Sequence, residues 1–132
     1  DNGAEGLVCQ KKLDIDLPQV IVDDTRVALA TCCATLFGNP EKKLKIIGIT
    51  GTNGKTTTSY ILASIFEEYG AKCGIIGTNG AFFDGKHIPL KLTTPDPPQL
   101  FSLLKQQKKV VFLKEIYYNI YKAQHLIFLE VK

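Results

Sequence analysis

Lys55 and the threonines Thr56, Thr57 and Thr58, reached through the glycine turn Gly51-Thr52-Asn53-Gly54, are the residues of this 132-residue chain whose types and spacing can do chemistry. A glycine turn that feeds a helix N-terminus aims backbone N–H groups at an anion, and the helix dipole adds partial positive charge. Lys55 can then reach the β- and γ-phosphates of a nucleotide, and Thr56 can put its hydroxyl on Mg²⁺. The reading is a nucleoside triphosphate site over Gly51, Thr52, Asn53, Gly54, Lys55, Thr56 and Thr57. The loop is a variant: the standard pattern wants a glycine five residues before Gly54, where this chain has Ile49, and Gly48 stands one place too early. A plain strand-to-helix turn would also use the glycines, but it gives no reason for a lysine and a run of threonines.

Such a loop needs a strand before it and a helix after it, and both patterns are present. Leu44 to Ile49 is an apolar run with strand character, and Thr58 to Tyr69 has helical spacing with Ile61, Leu62, Ile65, Phe66 and Tyr69 on one broad face. Gly70 fits the helix stop. Cys73 to Gly77 reads as a second buried strand, so strand, helix and strand make a right-handed parallel crossover. Asp84-Gly85, between Ala81-Phe82-Phe83 and Lys86-His87-Ile88, signals a two-residue hairpin in which His87 is an exposed hairpin residue. Asp96-Pro97-Pro98-Gln99 opens a further helix, with Asp96 as N-cap, Gln99 closing a capping box and Leu100, Leu103 and Leu104 as its apolar face. Thr93 and Thr94, just before it, are either plain capping residues or hydroxyls set for a polar ligand at that helix's N-terminus.

Upstream of the loop, Ala4 to Cys9 ends in a short strand, Lys11 to Pro18 is a charged loop, and Val20-Ile21-Val22 is a short apolar strand. Asp23 or Asp24 caps a helix whose apolar residues are Val27, Ala30, Ala34 and Phe37, widened by Leu29, Cys33 and Leu36. Gly38 followed by Pro40 stops it, and the polar stretch 38–43 reads as a domain boundary. The fold class is therefore α/β: the end of a small N-terminal α/β domain, residues 1–40, followed by the incomplete start of a phosphate-loop, parallel-sheet ATPase domain.

Composition sets outer bounds. The length suits one core and is small for a complete ATP-driven synthetase. A net charge of +3 with acids and bases intermixed does not suggest a nucleic-acid surface. Cys9, Cys32, Cys33 and Cys73 lack metal-ligand spacing and read as reduced thiols of a cytoplasmic protein. No apolar run approaches the roughly 20 residues that span a bilayer, so neither a membrane nor export is expected. With no methionine and Asp1 at its start, the chain is expected to be a fragment or a processed product.

Together the segments Val22-Asp23-Asp24-Thr25-Arg26-Val27-Ala28-Leu29-Ala30, Ile47 to Thr58, Gly74-Ile75-Ile76-Gly77-Thr78 and Leu92-Thr93-Thr94-Pro95-Asp96 resemble the Mur ligases, in the branch of the UDP-N-acetylmuramoyl-tripeptide synthetases. The loop alone is shared with folylpolyglutamate synthetases; the Asp-x-Arg helix and the Thr-Thr-Pro-Asp turn narrow the resemblance. It implies an ATP-dependent ligase that joins an amino acid, lysine or diaminopimelate, to UDP-MurNAc-L-Ala-D-Glu through an acyl phosphate in peptidoglycan synthesis. Gly51 to Thr57 match the family's ATP loop, with Lys55 neutralising charge on the transferred phosphoryl group and Thr56 near Mg²⁺. Thr93 and Thr94 match the pair that holds the UDP-MurNAc substrate. Residues 1–40 then end the uridine-nucleotide domain and 41–107 open the central ATP-binding domain. The implied partners are small molecules, with no nucleic acid, membrane or protein partner. The other readings are a non-catalytic nucleotide-binding module and a folylpolyglutamate-type ligase.

After Gln107 the motif pattern stops. Residues 108–132 have no glycine or proline and are rich in lysine, isoleucine, tyrosine and phenylalanine, which A/T-rich codons specify. This divergent tail is expected either to be a shifted reading frame or to be a genuine helix-and-strand end. The family's second carboxylate, modified lysine and amino-acid domain have no counterpart, so the chain is expected to form no amide bond by itself.

Overall fold

In the computed structural model the residues described are 3–90, 95–107, 110–113 and 126–131, the last two segments as backbone only. The chain begins with two short strands, β1 (Leu7–Cys9) and β2 (Gln19–Ile21), which pair in parallel as a separate small sheet. Parallel strands ordinarily require a helical crossover of a dozen or more residues. Here the connecting loop is held instead by the Gln19 amide, which accepts from Leu13 N–H and donates to Leu13 C=O, each at 2.8 Å.

Helix α1 (Thr25–Leu36) starts where Asp24 accepts hydrogen bonds from the Arg26 and Val27 amides, so Asp24 and not Asp23 is the cap. It ends in a Schellman closure: Gly38, at φ +80°, donates to Thr35 C=O and Asn39 to Ala34 C=O. Ala30 and Cys33 are buried and Ala34 and Phe37 half-buried, as the helical spacing predicts. Val27, Leu29 and Leu36 depart from it and stand in solvent, because α3 meets only one side of the helix.

The main sheet has six strands in the order β6-β5-β4-β7-β3-β8. β3 (Lys45–Gly51), β4 (Cys73–Gly77), β7 (Val110–Leu113) and β8 (Leu126–Val131) run parallel, while β5 (Gly80–Phe83) and β6 (Lys86–Ile88) extend it as an antiparallel hairpin. The expected parallel crossover from β3 to β4 is present through α2 (Lys55–Glu68), but the two strands are not neighbours, since β7 lies between them. β7 and β8 come from the stretch whose composition departs from the rest, and their backbones flank β3 on both sides. The hairpin turn forms as expected, with Asp84 at φ +48° and Gly85 at φ +72°, the two positive values of a type I′ turn.

Two cores form on the sheet. On one face α1 and α3 (Pro97–Gln106) meet strand residues Leu44, Ile46, Ile76, Ala81 and Phe83; Leu100, Leu103 and Leu104 are buried as expected, with Phe101 added at 0% exposure. On the other, α2 covers Ile47, Ile49 and Ile75. The broad apolar face expected of α2 is divided. Ser59 and Ala63 are small enough to let the helix lie close on the sheet, with Leu62 and Phe66 beside them, and this rotation leaves Ile61, Ile65 and Tyr69 exposed.

Candidate functional site

The loop between β3 and α2 lies at the carboxyl end of a central parallel strand. The chain leaves β3 towards β4 on one side, while β7 and β8 flank β3 on opposite sides. A crevice outside the strand ends at such a reversal is where open α/β sheets hold ligands. Gly51 closes β3 at φ +136° and Gly54 takes φ +76° as the residue that caps α2, both values that L side chains avoid. Gly54 offers no side chain to the first-turn amides, so the loop supplies no oxygen of its own where α1 and α3 have Asp24 and Asp96. A helix N-terminus left in this state is a place for an anion.

Lys55 is half-buried at the first position of α2, and its Nζ donates to the Gly51 carbonyl. The ammonium is therefore folded back over the loop, next to the amides it would share an anion with. Thr52, Asn53 and Thr57 are exposed at the rim, and Thr56 is half-buried. Ser59, completely buried, donates from Oγ to Thr56 C=O at 2.7 Å. This contact fixes the first turn from beneath; sequence reasoning passed over Ser59, whose signal was a small polar residue one turn after Lys55 on the sheet-facing side. Thr93 and Thr94 lie outside the described residues. Asp96 caps α3 by accepting from Gln99 N–H at 3.2 Å, one half of the expected capping box.

Among the described residues no three His, Cys, Asp or Glu side chains converge as a metal site. That donor set does not conflict with Mg²⁺, which keeps several waters and takes one or two protein oxygens together with substrate phosphates. Thr56 is the loop residue fitted to supply one.

A second concavity, of about 410 Å³, lies away from the loop between α2 and the β5–β6 hairpin. Phe82 forms its floor, with His87 stacked on it at 4.3 Å between centroids and Tyr60 edge-on at 5.8 Å. His87 is an exposed hairpin residue as expected, and its Nε2 lies 2.8 Å from Asn79 C=O. The convergent amides and the lysine lie at the loop, so size does not decide between the two concavities.

A mixed α/β sheet with an uncapped glycine loop at the carboxyl end of its central strand defines a class of anion-binding domains. Residues 49–124, more than half of the chain, match the Mur ligase middle domain, and the chain belongs to this family. The match continues past Gln107, where the recognisable motifs end. The chain is 42% identical over 105 residues to the UDP-N-acetylmuramoyl-L-alanyl-D-glutamate–2,6-diaminopimelate ligase of Corynebacterium glutamicum, covering 80% of this chain and 20% of the relative. It is 45% identical over 105 residues to the ligase of the same name from Clostridium perfringens, covering 78% and 22%. A solved structure of a ligase with that name superposes with a TM-score of 0.68 at 27% identity, over 87% of this chain and 24% of that one. The chain thus spans about a fifth of the length of the curated relatives it matches.

Proposed function

We propose that this chain is the phosphate-binding portion of an ATP-dependent ligase that adds a diamino acid to UDP-MurNAc-L-Ala-D-Glu in cytoplasmic peptidoglycan synthesis. The observation that carries the reading is the first turn of α2: Gly54 leaves it without a side-chain cap, and the Lys55 ammonium lies over the same loop. The diaminopimelate ligases to which the chain is similar support diaminopimelate as the amino acid.

In that reading the amides opened by Gly51 to Gly54 hold the β- and γ-phosphates of ATP. Lys55 leaves the Gly51 carbonyl for a phosphate oxygen. It balances the negative charge that grows as the γ-phosphoryl group passes to the substrate carboxylate, which yields an acyl phosphate and ADP. The incoming amine then attacks the acyl carbon and phosphate departs. Mg²⁺, held through Thr56 and the phosphates, would supply further neutralisation. Thr93 and Thr94 hold the UDP-MurNAc substrate, residues 1–40 close the uridine-nucleotide domain, and 41–107 open the phosphate-loop ATPase domain. Residues 108–132 are the stretch in which a frame change is proposed.

The test is calorimetric titration of the chain with Mg-ATP, together with an assay for tripeptide product. Binding is expected, with Lys55→Ala weakening it at least about 100-fold, the ~2.7 kcal/mol that one preorganised charge contact supplies. No product is expected from the chain alone. Absence of nucleotide binding, or binding indifferent to Lys55→Ala, would overturn the phosphate-loop reading.

A further inference from the structure

The exposed flank of α2 is an apolar ridge that the fold leaves without a neighbour among the described residues. Ile61, Ile65 and Tyr69 stand four residues apart and are 55%, 49% and 88% exposed. Rows at this spacing are the ridges through which helices pack into one another's grooves. The opposite flank shows where the ridge points. Tyr60, Ser64 and Glu67 line the concavity against the hairpin, so Ile61, Ile65 and Tyr69 face away from it, towards the side of the sheet that holds β3 and β8. α2 packs chiefly on β4, β3 and β7. Parallel strands are ordinarily covered on both faces, and β8 is a parallel strand at the sheet's edge.

The lengths of the relatives say what covers this region. The chain spans 20% and 22% of two ligases that it matches over most of its own length. We propose that Ile61, Ile65 and Tyr69 receive an apolar helix from the remaining ligase polypeptide, laid beside α2 over β3 and β8. Glu68, exposed at the border of the ridge, favours a helix with lysine or arginine on its rim.

The test co-expresses the tagged full chain with the Clostridium perfringens relative from which the matched fifth has been removed. The two are expected to co-purify, with Ile65→Glu and Tyr69→Glu each weakening the complex at least tenfold and Ser64→Glu, on the other flank, leaving it unchanged. All three positions are exposed, so the variants keep the fold, which circular dichroism checks. In the complex, Ile65→Cys should react with a maleimide at least tenfold more slowly than in the chain alone. Failure to co-purify, a complex insensitive to both ridge variants, or a ridge-dependent homodimer in sedimentation would overturn the proposal. Mg-ATP titration of the Ile65→Glu chain reads the loop separately, so loss of docking and loss of the nucleotide site are told apart.

Discussion

Cys33 and Cys73 show how neighbours a few ångströms away set the chemistry of single residues. Burial pushes both thiols above the ordinary value of 9.0; the adjacent Cys32 and then Asp96 raise Cys33 further, and Glu67 raises Cys73. Both are kept as thiols, whereas Cys32, one residue away, is exposed. Below pH 9 these groups are protonated folded and unfolded alike, and they leave stability unchanged. Above it the unfolded chain loses its thiol protons first and is favoured, so stability falls as pH rises towards the folded values. Denaturation followed from pH 8 to 10 should show this decline, with a shallower slope in Cys33→Ala. An unchanged slope would mean that burial does not perturb Cys33. Iodoacetamide mapped by mass spectrometry at pH 8 should find Cys32 first. Neither shift recruits the thiol as a nucleophile, since the raised values oppose the thiolate.

At the scale of elements, the features decided by near neighbours in the chain were the legible ones. Asp24 and Asp96 cap their helices, Gly38 and Gly70 end theirs at positive φ, and Asp84-Gly85 turns the hairpin, because each depends on a side chain or a φ value within a few residues. The glycine loop was legible for the same reason. What could not be read were the faces and the strand order. Val27, Leu29, Ile61 and Ile65 have the spacing of core residues, yet their burial depends on whether a distant element arrives, and a period of 3.6 does not say from which side. The insertion of β7 between β3 and β4 is likewise a long-range choice that no local pattern encodes. Gly80 is an intermediate case. It opens β5 at φ +103°, and an added Cβ would stand 2.6 Å from the Ile88 carbonyl and 2.7 Å from His87 Nε2. The backbone of β6 cannot yield as a side chain can. Gly80→Ala should therefore cost at least about 2 kcal/mol and lower the thermal midpoint, whereas Gly85→Ala, with open space around it, should cost less. Equal losses at the two glycines would show that φ alone matters and the close approach does not.

Across the whole molecule, the core does not respect the polar stretch 38–43. Ala30 and Cys33 of α1, from before it, share one buried cluster with Leu100, Phe101 and Leu104 of α3, from well after it. Lys105 of α3 also sits 5.8 Å from the centre of the Phe37 ring, near the end of α1. α3 is the helix that follows Thr93 and Thr94, so the segment proposed to end the uridine-nucleotide domain is packed against the helix next to the proposed substrate residues. Such a joint favours one relative placement of α1 and the phosphate-loop sheet and opposes a free hinge between them. Phe101, at 0% exposure, is the residue on which this depends most. Phe101→Ala should cost about 3 to 5 kcal/mol, a large part of the ~5–15 kcal/mol that holds a domain folded. If the joint is one cooperative unit, hydrogen exchange in α1 and α3 should accelerate together in this variant, because neither helix retains its buried face once the other leaves. If α1 amides keep their protection while those of α3 lose it, α1 is held by β1 and its own caps, and the joint does not fix one segment to the other.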